Sequence, residues 1–400
     1  MIFLCKCVKF IQRILKEKCK KMYLLYNSEI GNIIKSPEKQ FKIIRTLNSD
    51  SWEPMCLPAI YNISKEIRSS LLYKKQYILD VENALVYDDS NIIVTDKGVI
   101  WNKSYHENFT IVVPLDKGLI DYDNNSVRYG KIKNITRVEG KVISLLGVHS
   151  RVWSHFLIQY LPKILYAERF GITSEKIMLL VPQYNDIHIK LILEDFVRRN
   201  PNIKVIESNC KNSYYCDHLI HIPETAYCGD HANIIHLCDT IIPKETFNLL
   251  LASIVNPMIN NVRIDKKYKK LYIIRRGTYR SLINCEEVES FFVKEGFLLI
   301  EPHKMTLDEK VKAFYSADFI VGPVSAGFTN VMFSRSKTKV LILSSLNRSL
   351  DGYTSGFVFH KELDSLRVTG EDSNTTIHSN YYIDINRIEA AYNQLMRNGE

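Results

Sequence analysis

Apolar positions follow three rhythms along this chain. In residues 1–21 they fall at helical spacing among lysines, and Val8, Ile11, Leu15, Cys19 and then Met22 would share one side of a basic amphipathic helix. In residues 81–140 short apolar runs (ALVYD, NIIVTD, GVIWN, FTIVVPL) alternate with polar turns such as DYDNNS, which predicts short strands and a β-rich region. From residue 141 compact apolar runs alternate with amphipathic stretches. KVISLLG, IMLLVP, IKVIES and HLIHIP predict strands. RVWSHFLIQYLPKILYAERFG and DIHIKLILEDFVRR predict helices, the first stopping at Gly171. IIHLCDTIIPKETFNLLLASIV is expected to be mostly helical, with a break at Pro243.

After NPMINNVRIDKKYKK, which has the character of a linker, the alternation begins again. LYIIRR, FLLIEP, DFIVGPV and KVLILSS predict strands, and NCEEVESFFVKEG and TLDEKVKAFYSA predict helices. AGFTNVMFS predicts a short helix, and YYIDINRIEAAYNQLMR a closing strand and helix. Asn284 with Glu287, and Thr306 with Glu309, have the spacing of a capping box. Apolar strands alternating with amphipathic helices imply parallel sheets covered on both faces. Two such series predict an α/β chain with two Rossmann-like domains facing a cleft and an N-terminal β-rich extension. The expected divisions are 1–30 (basic segment), 31–140 (mixed, then β-rich), 141–262 (first Rossmann-like domain) and 263–400 (second, its last helix packing back).

Composition fits this picture. The 400 residues are 46% hydrophobic and 24% charged, enough for two ordinary domains of roughly 150 residues each. The net charge of +9 is unevenly placed, since residues 1–21 hold seven Lys/Arg and one Glu. The remainder carries only +3, which is not the broad basic face of a nucleic-acid-binding protein, so no nucleic-acid partner is expected. The basic segment has two readings: a peripheral anchor on an anionic membrane surface, or an ordinary basic helix packed on its domain. Lys6, Lys9 and Arg13 interrupt any secretory signal, and no run approaches the roughly 20 apolar residues of a membrane span. Nine irregularly spaced cysteines without a CxxC pair point to reduced thiols in a cytoplasm, not to a zinc site or a disulfide framework.

Ligands bind such sheets at the carboxyl ends of the strands, and the second series puts unusual residues there. Its first strand ends in Arg275-Arg276-Gly277, with Arg280 close behind. Its second ends in Glu301-Pro302, and its third in GPVSAGFTN (322–330). Guanidinium forks match phosphate oxygens. A glycine-bearing turn into a helix amino end offers N–H groups to an anion, and an acidic residue after the second strand can accept from ribose hydroxyls. Together they describe a nucleotide-diphosphate site. GxxxxGK[ST] and GxGxxG are both absent, which disfavours ATP hydrolysis and hydride transfer.

The stretch YIIRRGTYRSLINCEEVESFFVKEGFLLIEPHKMTLDEKVKAFYSADFIVGPVSAGFTNVMFS resembles the C-terminal signature of glycosyltransferase family 61. Arg275, Arg276, Arg280, Asn284, Glu301, Gly322, Pro323, Ala326, Gly327, Thr329 and Asn330 match the family pattern. In HFLIQYLPKIL, His155, Leu161 and Pro162 match a second one. Three positions depart from the family: Val324-Ser325 stands where it has His-Gly, and Gln159 where it has Asp.

The resemblance covers about 141–400 and implies a two-Rossmann (GT-B) fold and an inverting glycosyltransferase. Such an enzyme takes a nucleotide-sugar donor and a glycan or lipid-linked saccharide acceptor, as in surface polysaccharide biosynthesis. The alternative is a weakly active or inactive relative that binds glycan or nucleotide within an assembly complex.

Inverting transfer requires neutralisation of the leaving diphosphate and deprotonation of the acceptor. Arg275, Arg276, Gly277, Arg280 and the N–H groups of Ser325, Ala326 and Gly327 are expected at the donor, with Thr329 and Asn330 orienting the turn and Glu301 at the ribose. His155, in the first turns of its helix, is the expected base, and the helix amino end favours its neutral form. His149, His231 and His236 are further histidine candidates. Trp153, Tyr160, Tyr279 and Tyr353 are candidate sugar platforms. Asp121-Tyr122-Asp123 has DxD spacing but reads as a surface turn, so neither a metal nor a cofactor beyond the donor is expected. The implied location is cytoplasmic, peripheral on the inner membrane face.

Overall fold

A computed structural model describes residues 20–26, 41–73, 75–88, 90–96, 98–101, 119–122, 126–129, 134–209, 212–228, 240–349 and 352–397. Contacts divide the chain into two units, Met1–Trp52 with Leu72–Thr225, and Glu53–Leu71 with Ala226–Glu400. It is a mixed α/β protein with parallel sheets and an N-terminal β-rich region.

The first unit is built on an 11-stranded sheet. Ile203–Glu207, Ile177–Val181, Ile135–Ser144 and Ser213–His221 lie side by side in parallel. Gln76–Tyr87 then joins Ser213–His221 antiparallel and also carries Phe41–Asn48. Farther out lie Ile93–Val94, Val99–Trp101, Lys20–Tyr26, Ser126–Tyr129 and Leu119–Tyr122. The β-rich region therefore continues the sheet of the α/β series. Its apolar residues (Leu79, Val81, Ile100, Val142 and Leu219 among them) form one buried cluster across both halves.

Several expectations need correction. Met22 lies in the strand Lys20–Tyr26, paired antiparallel with Ser126–Tyr129, so the helical stripe does not reach it. Residues 1–19 lie outside the described residues, as do FTIVVPL, Asp123, His231 and His236. Asp121 and Tyr122 are strand residues, not a turn, because Leu119–Tyr122 pairs with Ser126–Tyr129. Thr240–Ile241 is a strand beside Tyr227–Cys228, and the helix Lys244–Leu250 starts only after Pro243. The β-branched pair before a proline favours extended backbone over helix.

The second unit holds a parallel sheet in the order Leu298–Ile300, Lys270–Ile273, Phe319–Pro323, Lys339–Ser345, Asp364–Asp372. Ala59–Ile60 pairs in parallel with Asp364–Asp372, and Tyr381–Tyr382 is antiparallel to it. The second strand in sequence thus lies outside the first, and the third lies on the first strand's other side. That reversal is a topological switch point, where crossovers leave in opposite directions and open a crevice.

Phe292, Phe297, Phe319 and Tyr392 interlock under this sheet in edge-to-face pairs, and the Tyr272 ring lies tilted against Phe292. Thr306 and Glu309 form the expected capping box of Leu307–Ser316. Asn284 does not cap Cys285–Lys294. Its amide instead donates to Glu287 and to the carbonyl of Ile383, tying the helix start to the chain beyond the sheet edge. Among the described residues, no helix is long and apolar enough to cross a membrane.

Candidate functional site

The switch point of the second sheet lies between Lys270–Ile273 and Phe319–Pro323, and the GPVSAGFTN turn closes over it. A methyl group on Gly322 would meet the Ile273 carbonyl oxygen at 2.7 Å, and one on Gly327 would meet Ile273 Cγ2 at 2.9 Å and Pro302 Cγ at 3.5 Å. Glycine is needed at both positions for close approach. The result is that three strand ends, at Ile273, Pro302 and Gly322–Gly327, converge on one place.

Ser325 is extended and precedes the 3-10 helix Ala326–Phe333, so Ser325, Ala326 and Gly327 form its amino end. N–H groups there have no partner within the helix. The Ser325 hydroxyl is buried with no hydrogen-bond partner among the described residues. Thr329 and Asn330 are both 1% exposed. Thr329 donates to the Ala326 carbonyl at 2.7 Å and Asn330 to that of Gly327 at 2.8 Å, so they brace the turn from inside.

Beyond Ile273 the chain forms a strap over the sheet. Arg280 N–H donates to the His378 carbonyl, Tyr381 N–H to Ser281, and Ile283 N–H to Tyr381. Arg280 holds a left-handed backbone (φ 55°) to make this turn. Arg275 braces the strap, donating from Nε to the Arg280 carbonyl at 3.0 Å and from Nη2 to that of Tyr279 at 3.3 Å. Burial, and then the neighbouring charge of Arg280, lower the Arg275 pKa from its ordinary value. Cations crowded in this way favour a bound anion.

Arg276 points elsewhere. Its fork grips both carboxylate oxygens of Glu289, with Nη2 to Oε2 at 2.7 Å, and this pairing raises its pKa. Glu301 pairs with Lys304, which lowers its carboxyl pKa, and Arg276 and His303 act on it in the same direction. Gly277 lies on the exposed outer part of the strap.

In the first unit His155 sits on a helical stretch that is not uniform. Trp153–His155 is α-helical, Phe156–Tyr160 is a π turn, and Leu161–Arg169 is α-helical again. Leu161 N–H reaches back five residues to the Phe156 carbonyl. Pro162 follows directly, and a proline lacks the N–H and the clearance for a regular α-helical turn, so the π turn absorbs it. Within this turn His155 Nδ1 lies 2.6 Å from Gln159 Oε1. The amide oxygen can only accept, so in this contact the proton lies on Nδ1.

His149, in a left-handed conformation (φ 60°), places its ring 4.8 Å from that of His155. Its loop is anchored by Asn91, which accepts from Val148 N–H and the Tyr160 hydroxyl, each at 2.9 Å. Arg151 on the same loop pairs with the buried Asp88 at 2.6 Å. The π turn, the His149 contact and the Arg151–Asp88 pair carried no signal in the sequence.

Two aromatic candidates are ruled out as sugar platforms. Trp153 is buried against His188, and Tyr160 is fully buried with its hydroxyl bonded to Asn91 and to the Val148 carbonyl. Tyr279 is 50% exposed on the strap. The side chain of Tyr353 lies outside those described.

Known proteins bear on this arrangement in two ways. The sequence profile described as Glycosyltransferase 61 matches residues 153–341, a span that begins at the His155 helix and ends in the fourth strand of the second sheet. No curated protein matches the chain.

Proposed function

Residues 153–341 are a glycosyltransferase family 61 domain, and from that premise we propose that this protein transfers a sugar, with inversion and without a metal, from a nucleotide-sugar to a glycan or lipid-linked saccharide. On this reading the chain is an enzyme of the GT-B type, its first unit taking the acceptor and its second the donor. One observation carries this reading: the convergence of Ile273, Gly322 and Gly327 at the switch point, with Arg275 on the strap above it.

The donor diphosphate lies against the N–H groups of Ser325, Ala326 and Gly327, with Arg275 and Arg280 neutralising it. Glu301 accepts from the ribose, and Arg276 and Gly277 border that side. Thr329 and Asn330 hold the turn in shape. The acceptor oxygen attacks the anomeric carbon on the face opposite the diphosphate. Its proton passes to His155 Nε2, and the bond to the β-phosphate oxygen breaks with its electron pair leaving on the nucleotide. Gln159 fixes the tautomer that makes Nε2 the base.

The product belongs to surface polysaccharide assembly, with residues 1–19, the part of the basic segment before the strand Lys20–Tyr26, resting on an anionic membrane at its cytoplasmic side. Deleting them should abolish flotation with anionic liposomes and leave donor binding intact.

The deciding experiment incubates the full chain with a panel of nucleotide sugars and saccharide acceptors, following nucleotide release and thermal stabilisation. A cognate donor should stabilise the protein, and Arg275→Gln should remove that effect. If no donor binds, and Arg275→Gln and Arg276→Ala behave as wild type, the reading is wrong. Gln159 and Val324-Ser325, which replace ionisable or flexible family residues, support a second reading as a binding subunit. Its signature is donor stabilisation without nucleotide release for any acceptor.

A further inference from the structure

The Leu346–Arg348 turn follows the carboxyl end of Lys339–Ser345 and lies beyond the family match. It is held from two sides. Asn347 N–H donates to Asp372 at 2.8 Å, and its amide donates to the carbonyls of Asn374 and Thr376 at 2.9 and 3.1 Å. From within the sheet comes Arg367, which is 0% exposed in Asp364–Asp372. Its Nη1 donates to the Arg348 carbonyl at 2.8 Å and to that of Ser349 at 2.7 Å, and its Nη2 to the Ser355 hydroxyl at 2.7 Å. A guanidinium is costly to bury and is tolerated only when well hydrogen-bonded. Here much of that bonding goes to the backbone of one short turn.

This turn and the strap meet the same segment of chain. The strap bonds to His378 and Tyr381, the turn bonds to Asp372–Thr376, and Ser373 N–H donates to the Asn380 carbonyl between them. Buried Tyr381 donates to the Leu343 carbonyl at 3.2 Å, which fixes the strap's partner to the strand that precedes the turn. Val324 N–H donates to the same Leu343 carbonyl at 2.8 Å, so the turn that carries Arg348 leaves the sheet beside the 322–330 turn.

We propose that Arg348 is a further guanidinium of the donor site, contacting the diphosphate together with Arg275, and that Arg367 is a positioning residue that fixes Arg348 by holding the carbonyls of its turn. This rests on the reading that the second unit binds the donor diphosphate. Arg275 and Arg280 follow the first strand and Arg348 the fourth, the two strands that flank Phe319–Pro323, so a diphosphate at the 322–330 turn would lie between these guanidiniums.

The test titrates the full chain with inorganic pyrophosphate and with UDP and GDP, using ³¹P NMR for the weak ligand and calorimetry for the nucleotides. Arg348→Gln should weaken pyrophosphate and the bound nucleotide by about 10- to 100-fold, the range of one charge-assisted hydrogen bond. Arg367→Lys should weaken both as well. In the Arg348→Gln background it should cause no further loss of affinity while still lowering the melting temperature. A purely structural Arg367 would weaken binding equally in both backgrounds, which would overturn its positioning role.

If Arg275→Gln removes binding and Arg348→Gln does not, Arg348 is outside the site and the donor reading stands. If the wild type binds none of the three ligands, the donor reading and this proposal both fail.

Discussion

At the carboxyl ends of their parallel strands the two units carry different chemistry. In the first, His155 and Gln159 lie on a helix and share a hydrogen bond that selects one tautomer. In the second, the prominent groups are guanidiniums on a backbone strap. The supports differ too. Beneath the His155 helix, Lys163 and Glu224 pair at 5% and 8% side-chain exposure. Beside the strap, Arg276 pairs with Glu289 while remaining 52% exposed. On the proposed reading, one unit would take a proton at a half-buried histidine braced by its helix. The other would receive negative charge at its surface.

Removing His155, the proposed base, should have the largest effect. His155→Ala is expected to lower kcat by about 10²- to 10⁴-fold, the usual contribution of a positioned general base, with donor binding unchanged. Gln159→Glu sharpens the test. A carboxylate at that position would favour the imidazolium, so the acid limb of the rate–pH profile should move to higher pH. An unmoved limb would mean that His155 is not the titrating base.

Next in size is the buried pair. Lys163→Met leaves Glu224 without its cation in the interior and should cost about 3–5 kcal/mol in urea denaturation. Lys163→Met with Glu224→Leu should recover most of that, since an apolar pair carries no desolvation cost. Intermediate in size is Gly322→Ala, whose added methyl must displace the Ile273 carbonyl. It should cost about 1–3 kcal/mol and weaken the donor through the shifted turn.

The comparison also explains what the sequence could and could not disclose. The strand and helix rhythm from residue 141 was legible because apolar runs and capping residues act locally, as at Gly171, Thr306 and the second-sheet strands. The π turn was not. Phe156 to Ala167 is buried on every side, so its apolar pattern has no phase in which an extra residue could be noticed. Asp364–Asp372 was missed because its central core residue is Arg367, and Gly352–His360 because its composition, GYTSGFVFH, is poor in helix formers. The strap was hidden for another reason. Its bonds join residues about 100 positions apart, such as Arg280 with His378, and no local signal records them. Arg275 and Arg276 looked equivalent in sequence, yet one braces the strap and the other pairs with Glu289.

Two smaller effects separate the units further. His221 borders the same polar pocket as Lys163 and Glu224. Burial, and then the charge of Lys163, push its pKa down to about 3. The unfolded chain, with an ordinary histidine, binds a proton below pH about 6.5 that the folded chain refuses. Stability from this group is therefore complete above that pH and lost as pH falls toward 3, by about 1.4 kcal/mol per unit. In urea denaturation at pH 7, 6 and 5, wild type should lose stability faster than His221→Asn, and parallel curves would refute the assignment.

The smallest effect belongs to the second unit. Glu289→Gln removes the carboxylate from Arg276, but solvent already screens that cation, so the cost should stay below about 1 kcal/mol. Its value lies in function. With Glu289 neutral, the Arg276 charge is no longer balanced, and affinity for a diphosphate should rise if Arg276 borders the donor. Unchanged affinity would assign Arg276 to the fold alone and leave the donor charge to the strap.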